Sequence, residues 1–153
     1  MIADARYVHT NLVARDWRSL ARFYVDVFGC VLLSPERDYS GADLAAGTGV
    51  PHARLRGAHL RLPGHGGNGP TLEVFQYEPE GIAGAEPPAA NRPGFGHIAF
   101  AVPSVEDARR EVIACGGAEL GTIVTLALST GAKVTWCYVR DPEGNLVELQ
   151  SWS

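Results

Sequence analysis

The chain of 153 residues lacks several features that would assign it to a class at once. It has no excess of positive charge: 13 Lys and Arg stand against 17 Asp and Glu, giving a net charge of -4 and a pI near 5.7. No basic stripe is on offer to neutralise phosphates, so a nucleic-acid partner is not expected. No apolar run approaches the roughly 20 residues of a membrane-spanning helix. Residues 1–6 have no basic start followed by an apolar core, so no membrane association is expected and the chain is read as cytoplasmic. Cysteine is also scarce. Cys30, Cys115 and Cys137 are odd in number and lack paired spacing, which argues against a disulfide framework or a cysteine zinc site and for buried or half-buried free thiols.

What is present is a hydrophobic content of 46%, enough for a core, arranged in an internal repeat. Residues 7–33 and 95–120 share one layout. The first copy has a histidine in a short apolar strand (YVHTNLVA), then Asp16 seven residues on, then a helical stretch ending near Phe28 and Gly29. The second has FGHIAFAV, then Ser104 seven residues after its histidine, then a helical stretch ending at Cys115 and Gly116. Asp16 and Ser104 are helix N-cap side chains, and Ser104 with Asp107 has capping-box spacing. Gly29 and Gly116 suit the left-handed turn after a helix. Leu20, Phe23, Val27 and Phe28 form one apolar stripe; Ala108, Val112 and Cys115 form its counterpart.

Three strands are predicted after each helix: 31–34, 57–62 and 71–77 in the first copy, 119–126, 133–140 and 146–151 in the second. Both copies therefore read βαβββ, an α+β fold of two modules at about 5–78 and 94–152, joined by a Pro- and Gly-rich linker at about 79–93, within one domain over 1–153. Residues 35–55, rich in Gly, Ala and Pro, read as an ordered lid or a mobile loop. GHGGNG at 64–69 opens no helix and reads as a hairpin turn, not a phosphate cradle.

His9 lies in the first strand of module one and Glu73 in its last; His97 and Glu148 hold the matching places in module two. A lone strand histidine or glutamate is ordinarily structural or solvated. Here the repeat presents the pair twice, and both glutamates lie in apolar strands (TLEVFQY, NLVELQS) where an unpaired carboxylate is costly. Side chains of one parity share one face of a sheet, so the four residues are expected to converge on one divalent ion: Ni, Co, Mn, Fe or Zn. The same parity rule gives Tyr7, Asn11, Phe75, Tyr77 and Phe95 as pocket lining, with Trp136 or Cys137 as a further wall. His52, His59 and His65 lack counterparts and are expected on the surface, in or beside loops.

The segments VHTNLVARDWRSLARFYVDVFG, GFGHIAFAV and DPEGNLVEL resemble the vicinal oxygen chelate superfamily of glyoxalases, bleomycin-resistance proteins and extradiol dioxygenases over nearly the whole chain. The resemblance implies paired βαβββ modules forming a cupped mixed sheet around a metal, a homodimer, and a small-molecule substrate. A His, Glu, His, Glu set is similar to glyoxalase I and close to methylmalonyl-CoA epimerase. It implies a lyase, isomerase or epimerase that removes a proton beside a carbonyl through a metal-bound enediolate, with Glu148 or Glu73 as the catalytic base. Glyoxalase I has Arg and Asn where this chain has Val13 and Tyr77, so glutathione dependence is not expected. Two alternatives remain open: an extradiol Fe(II) dioxygenase built on His9, His97 and Glu148, and an antibiotic-binding resistance protein of the bleomycin-resistance type.

Overall fold

The computed structural model describes residues 5–81 and 88–153. The described chain forms two compact units, divided after residue 83, each an α+β module with its own four-stranded mixed sheet. Part of the expected linker, 82–87, and residues 1–4 of the segment read for targeting lie outside the described residues. Among those described, no helix is long and apolar enough to cross a membrane.

Unit one runs β1 (His9–Val13), α1 (Trp17–Phe28), β2 (Val31–Ser40), α2 (Ala42–Thr48), β3 (Arg54–Arg61) and β4 (Thr71–Glu78), with sheet order β1-β4-β3-β2. Strands β1 and β4 are parallel; β4, β3 and β2 are successively antiparallel. Helix α1 begins where Asp16 accepts from the Arg18 and Ser19 amides and ends at Gly29, whose φ of 67° closes the last turn. The helix buries Leu20, Ala21, Phe23 and Tyr24 and packs on β3 and β4. There Ala58, Leu60, Leu72 and Val74 are almost wholly removed from water. Each large aliphatic side chain buried this way stabilises the unit by roughly 1.5–3 kcal/mol, so this layer holds the opposite face of the sheet rigid.

Unit two runs β5 (Ile98–Ala101), α3 (Val105–Ala114), β6 (Ala118–Ala127), β7 (Lys133–Arg140) and β8 (Leu146–Trp152), with sheet order β5-β8-β7-β6. Ser104 accepts from the Asp107 amide at the start of α3. The cap at the far end is Cys115, with Gly116 following at φ 92°. Val105 and Val112 are the buried residues of α3, over a layer of Cys137, Val139, Val147 and Leu149; Ala108 and Cys115 are only partly covered. The three cysteines are free, with Cys30 and Cys137 buried. Burial pushes the Cys30 thiol up to about 11.

Residues 35–55 depart from expectation. Residues 35–40 continue β2, 42–48 form α2, and β3 begins at Arg54, so most of the segment is regular structure rather than a loop, with 49–53 as the connection. Pro35 is tolerated because β2 is an edge strand, where a missing N–H costs no ladder bond. The pairing of β2 with β3 shifts between Leu33 and Arg37, and that of β6 with β7 shifts between Leu120 and Val124. The repeat thus extends to the position of a bulge.

Candidate metal centre

In unit one, register decides which side chains share a face. Asn11 is opposite Glu73 on β4, and Glu73 is opposite His59 on β3. With His9, Phe75 and Tyr77, these residues have the parity that points away from α1. Glu73 is buried, with only 11% of its side chain exposed, between Leu72 and Val74 on its strand. Its Oε1 lies 3.4 Å from His9 Nδ1 and 3.2 Å from His59 Nε2, and its Oε2 accepts from Asn11 Nδ2 at 3.4 Å.

His59 is therefore not a surface loop residue. It lies mid-strand, and burial holds its pKa below the usual imidazole value against the opposing pull of Glu73. Phe75 meets its ring edge-on at 5.8 Å. Phe75 takes that place because residue 57 is glycine: a Cβ there would overlap the Phe75 ring and the Val74 carbonyl. His52 and His65 do lie in turns.

In unit two, Glu148 is opposite Ala99 on β5 and Tyr138 on β7. Its Oε2 lies 2.9 Å from Nε2 of His97, which immediately precedes β5. Tyr138 is the counterpart of His59 and packs its ring 5.0 Å from that of His97. Burial, then the charge of Glu148, raises the Tyr138 hydroxyl pKa. Trp136 shares this face and lies 5.2 Å from Tyr138, whereas Cys137 faces the helix, which resolves the choice between those two. The register depends on the turn between β7 and β8, where buried Asp141 accepts from the Glu143 and Asn145 amides and from the Asn145 side chain.

Two of the expected lining residues are placed differently. Tyr7 precedes β1, is 67% exposed, and bonds its hydroxyl to Thr10, which has the opposite strand parity to His9. Phe95 precedes β5 and is 65% exposed.

Each unit thus pairs the histidine of its first-strand segment with a carboxylate, at N···O separations of 3.4 and 2.9 Å, and unit one adds a second imidazole, His59, at 3.2 Å. Two donors at right angles on a divalent ion, each about 2.1 Å from it, stand about 3 Å apart. The pairs fit such an ion in donor chemistry and in spacing. Among the described residues, no group of three or more His, Cys, Asp and Glu is arranged to hold a metal, so neither pair belongs to a complete cage within its own unit.

Two βαβββ units, each with a His–Glu pair on the face its helix leaves free, define a duplicated α+β protein of the glyoxalase-like fold. Residues 6–149 match the Glyoxalase/Bleomycin resistance protein/Dioxygenase superfamily, and the chain belongs to it. A glyoxalase family protein from Bacillus cereus is similar in structure at a TM-score of 0.82 and 18% identity, covering 99% of each chain. A glyoxylase/bleomycin resistance protein/dioxygenase domain from Frankia sp. EAN1pec gives 0.60 at 19% identity, covering 97% of this chain and 98% of that one. The fosfomycin resistance protein FosX from Listeria monocytogenes, complexed with Mn(II) and sulfate, gives 0.51 at 16% identity, covering 99% and 93%. No curated protein sequence matches.

Proposed function

We propose that His9, Glu73, His97 and Glu148 together hold one divalent ion, and that the protein is a metal-dependent lyase or isomerase that moves a proton on the carbon beside a carbonyl group. The observation that carries this reading is the pairing of each glutamate with a histidine at the same strand position in both units. Two carboxylates so placed have little structural purpose: burying an acid costs more than an apolar replacement unless a cation shares the site. A bound divalent ion supplies a Lewis acid that lowers the cost of negative charge on oxygen.

The chain's own groups do the rest. One glutamate accepts the proton from the carbon acid as the electron pair moves onto the carbonyl oxygen, and the same or the second glutamate returns it. Phe75 and Tyr77 share the sheet face of Glu73, and Trp136 that of Glu148; aromatic surface of this kind strengthens charge interactions where it excludes water. Val13, 60% exposed, offers no charge to a peptide-like cofactor, so the substrate is read as a carbonyl compound other than a glutathione adduct.

The test is proton exchange in D2O, followed by NMR, on 2-oxoaldehyde thiol adducts and acyl-CoA esters with protein reconstituted in Ni, Co, Mn, Zn or Fe. At least one combination is expected to replace the C–H beside the carbonyl with deuterium, and the Glu73→Gln/Glu148→Gln double variant to lose at least 1000-fold of that rate. No exchange by any metal form, or an unaffected double variant, would sink the reading.

A further inference from the structure

The helix sides of the two units differ at one repeated position. Ala21 and Arg109 each stand five residues past the N-cap of their helix. In unit two, Arg109 lies against β6 with only 19% of its side chain exposed, its guanidinium 2.8 Å from Glu119 Oε2 and donating to the Gly121 carbonyl at 3.3 Å. In unit one the same place offers a methyl group, and a cavity of about 340 Å³ is left between α1 and β2. That volume is within the range of small-molecule pockets.

The polarity of the two grooves is reversed. Glu119 corresponds to Leu32, since each stands one residue before the last strand pair that precedes the shift. The floor in unit one is accordingly apolar, made by Trp17, Ala21, Val25 and Leu32. Leu32 is 44% exposed there, so a ligand that covers it removes apolar surface from water. A cation placed like that of Arg109 would meet Leu32 instead of an acceptor, so the inner end favours an apolar group.

The cations of unit one are at the rim instead. Arg18 and Arg22 stand four residues apart on the helix face that borders the cavity. Arg18 is 2.8 Å from Glu36 and lies 4.2 Å over the Trp17 ring; Arg22 is 3.2 Å from Asp26. Both ion pairs are solvent-exposed and contribute little to stability. An incoming carboxylate, which a guanidinium can bind through two parallel hydrogen bonds, exchanges for either at small cost.

The geometry points to a second binding site, on the helix side of unit one, for a small carboxylate with an apolar body. The body fills the space that Arg109 fills in unit two, and the carboxylate sits between Arg18 and Arg22. His9 and Glu73 have the parity that points away from α1, so this site is separate from the His–Glu pair and does not rest on the proposed function.

The experiment is isothermal titration calorimetry with two probes of one ring system and opposite charge, 1-naphthylacetate and 1-naphthylmethylamine. Wild type is expected to bind the acetate with a Kd of about 1 mM or below, and the amine at least about tenfold more weakly. Ala21→Arg/Leu32→Glu copies the unit-two pair into unit one and is expected to weaken the acetate by at least about tenfold, with the circular dichroism of wild type. Should that variant not fold, Ala21→Met, which fills the groove without adding charge, replaces it. Arg18→Gln/Arg22→Gln is expected to abolish the preference for the acetate over the amine.

The inference is overturned if neither probe binds, if wild type binds the amine as tightly as the acetate, or if a folded groove-filling variant binds the acetate undiminished. It is also overturned if sedimentation shows wild type associating with concentration and the groove-filling variant not doing so, the result expected when a second copy of the chain covers this groove.

Discussion

At the scale of single residues, the smallest side chain near the site has a large effect. Gly57 leaves room for Phe75, and Phe75 walls His59. Gly57→Ala forces a methyl group to within 2.3 Å of the Phe75 ring and 2.1 Å of the Val74 carbonyl oxygen. The expected cost is about 1–3 kcal/mol, seen as a lower urea midpoint at unchanged slope. A midpoint equal to wild type would mean that Phe75 moves aside without cost. The equivalent position in unit two holds Trp136, whose indole packs against Tyr138. Repeated backbones have thus been furnished with opposite extremes of side-chain size.

At the scale of elements, α1 depends on its cap. Hydrogen bonds from the Ser19 hydroxyl and amide hold the Asp16 carboxyl below its usual pKa. A group depressed on folding stabilises the folded state above its unfolded pKa, about 3.9 for Asp, and that contribution is lost as pH falls through the folded value. Asp16→Ala is expected to cost about 1 kcal/mol at pH 7. Asp16→Asn caps without titrating, so the stability gap between it and wild type should narrow as pH drops below about 3.9; urea titrations at pH 7 and pH 3.5 measure it. A gap that widens on acidification would show that the charge on Asp16 does not support the helix.

Element by element, the sequence was legible where a local signal had one physical meaning. Asp16, Ser104 and Gly29 mark helix ends because few residues can satisfy those backbone groups. The strands carrying Glu73 and Glu148 were readable from apolar patterning. Residues 35–55 were not, because Pro, Gly and Ala ordinarily mark loops, and only the edge position of β2 makes Pro35 compatible with a strand. His59 was read as a surface residue although the predicted strand 57–62 contains it, because the matching place in unit two holds Tyr138 and the repeat offered no second histidine. The signal was nonetheless present: equal steps outward from Gly66, at the centre of the turn, set residue 59 opposite 73, and the same count about Glu143 sets 138 opposite 148.

At the scale of the whole molecule, the duplication divides the proposed ligand set: His9 and Glu73 lie in one unit and His97 and Glu148 in the other, and among the described residues no three or more His, Cys, Asp or Glu side chains are grouped to hold a metal. The double variants His9→Ala/Glu73→Ala and His97→Ala/Glu148→Ala are therefore both expected to lose bound metal to background by elemental analysis, while each remains folded by circular dichroism. A stoichiometric ion retained by either would show that one pair suffices.

The shifted pairing shared by β2 and β6 limits how such a chain can change length. From Leu33 to Arg37 the edge strand advances four residues while β3 advances two, and from Leu120 to Val124 the same happens against β7. The surplus is two, an even number, so Arg37 and Tyr39 regain the face that Leu33 occupies. Removing one residue there would turn every later side chain of β2 to the opposite side, whereas removing two would leave them where they are. At this point in each half, the gene can be shortened or lengthened without turning the strand over only in steps of two codons.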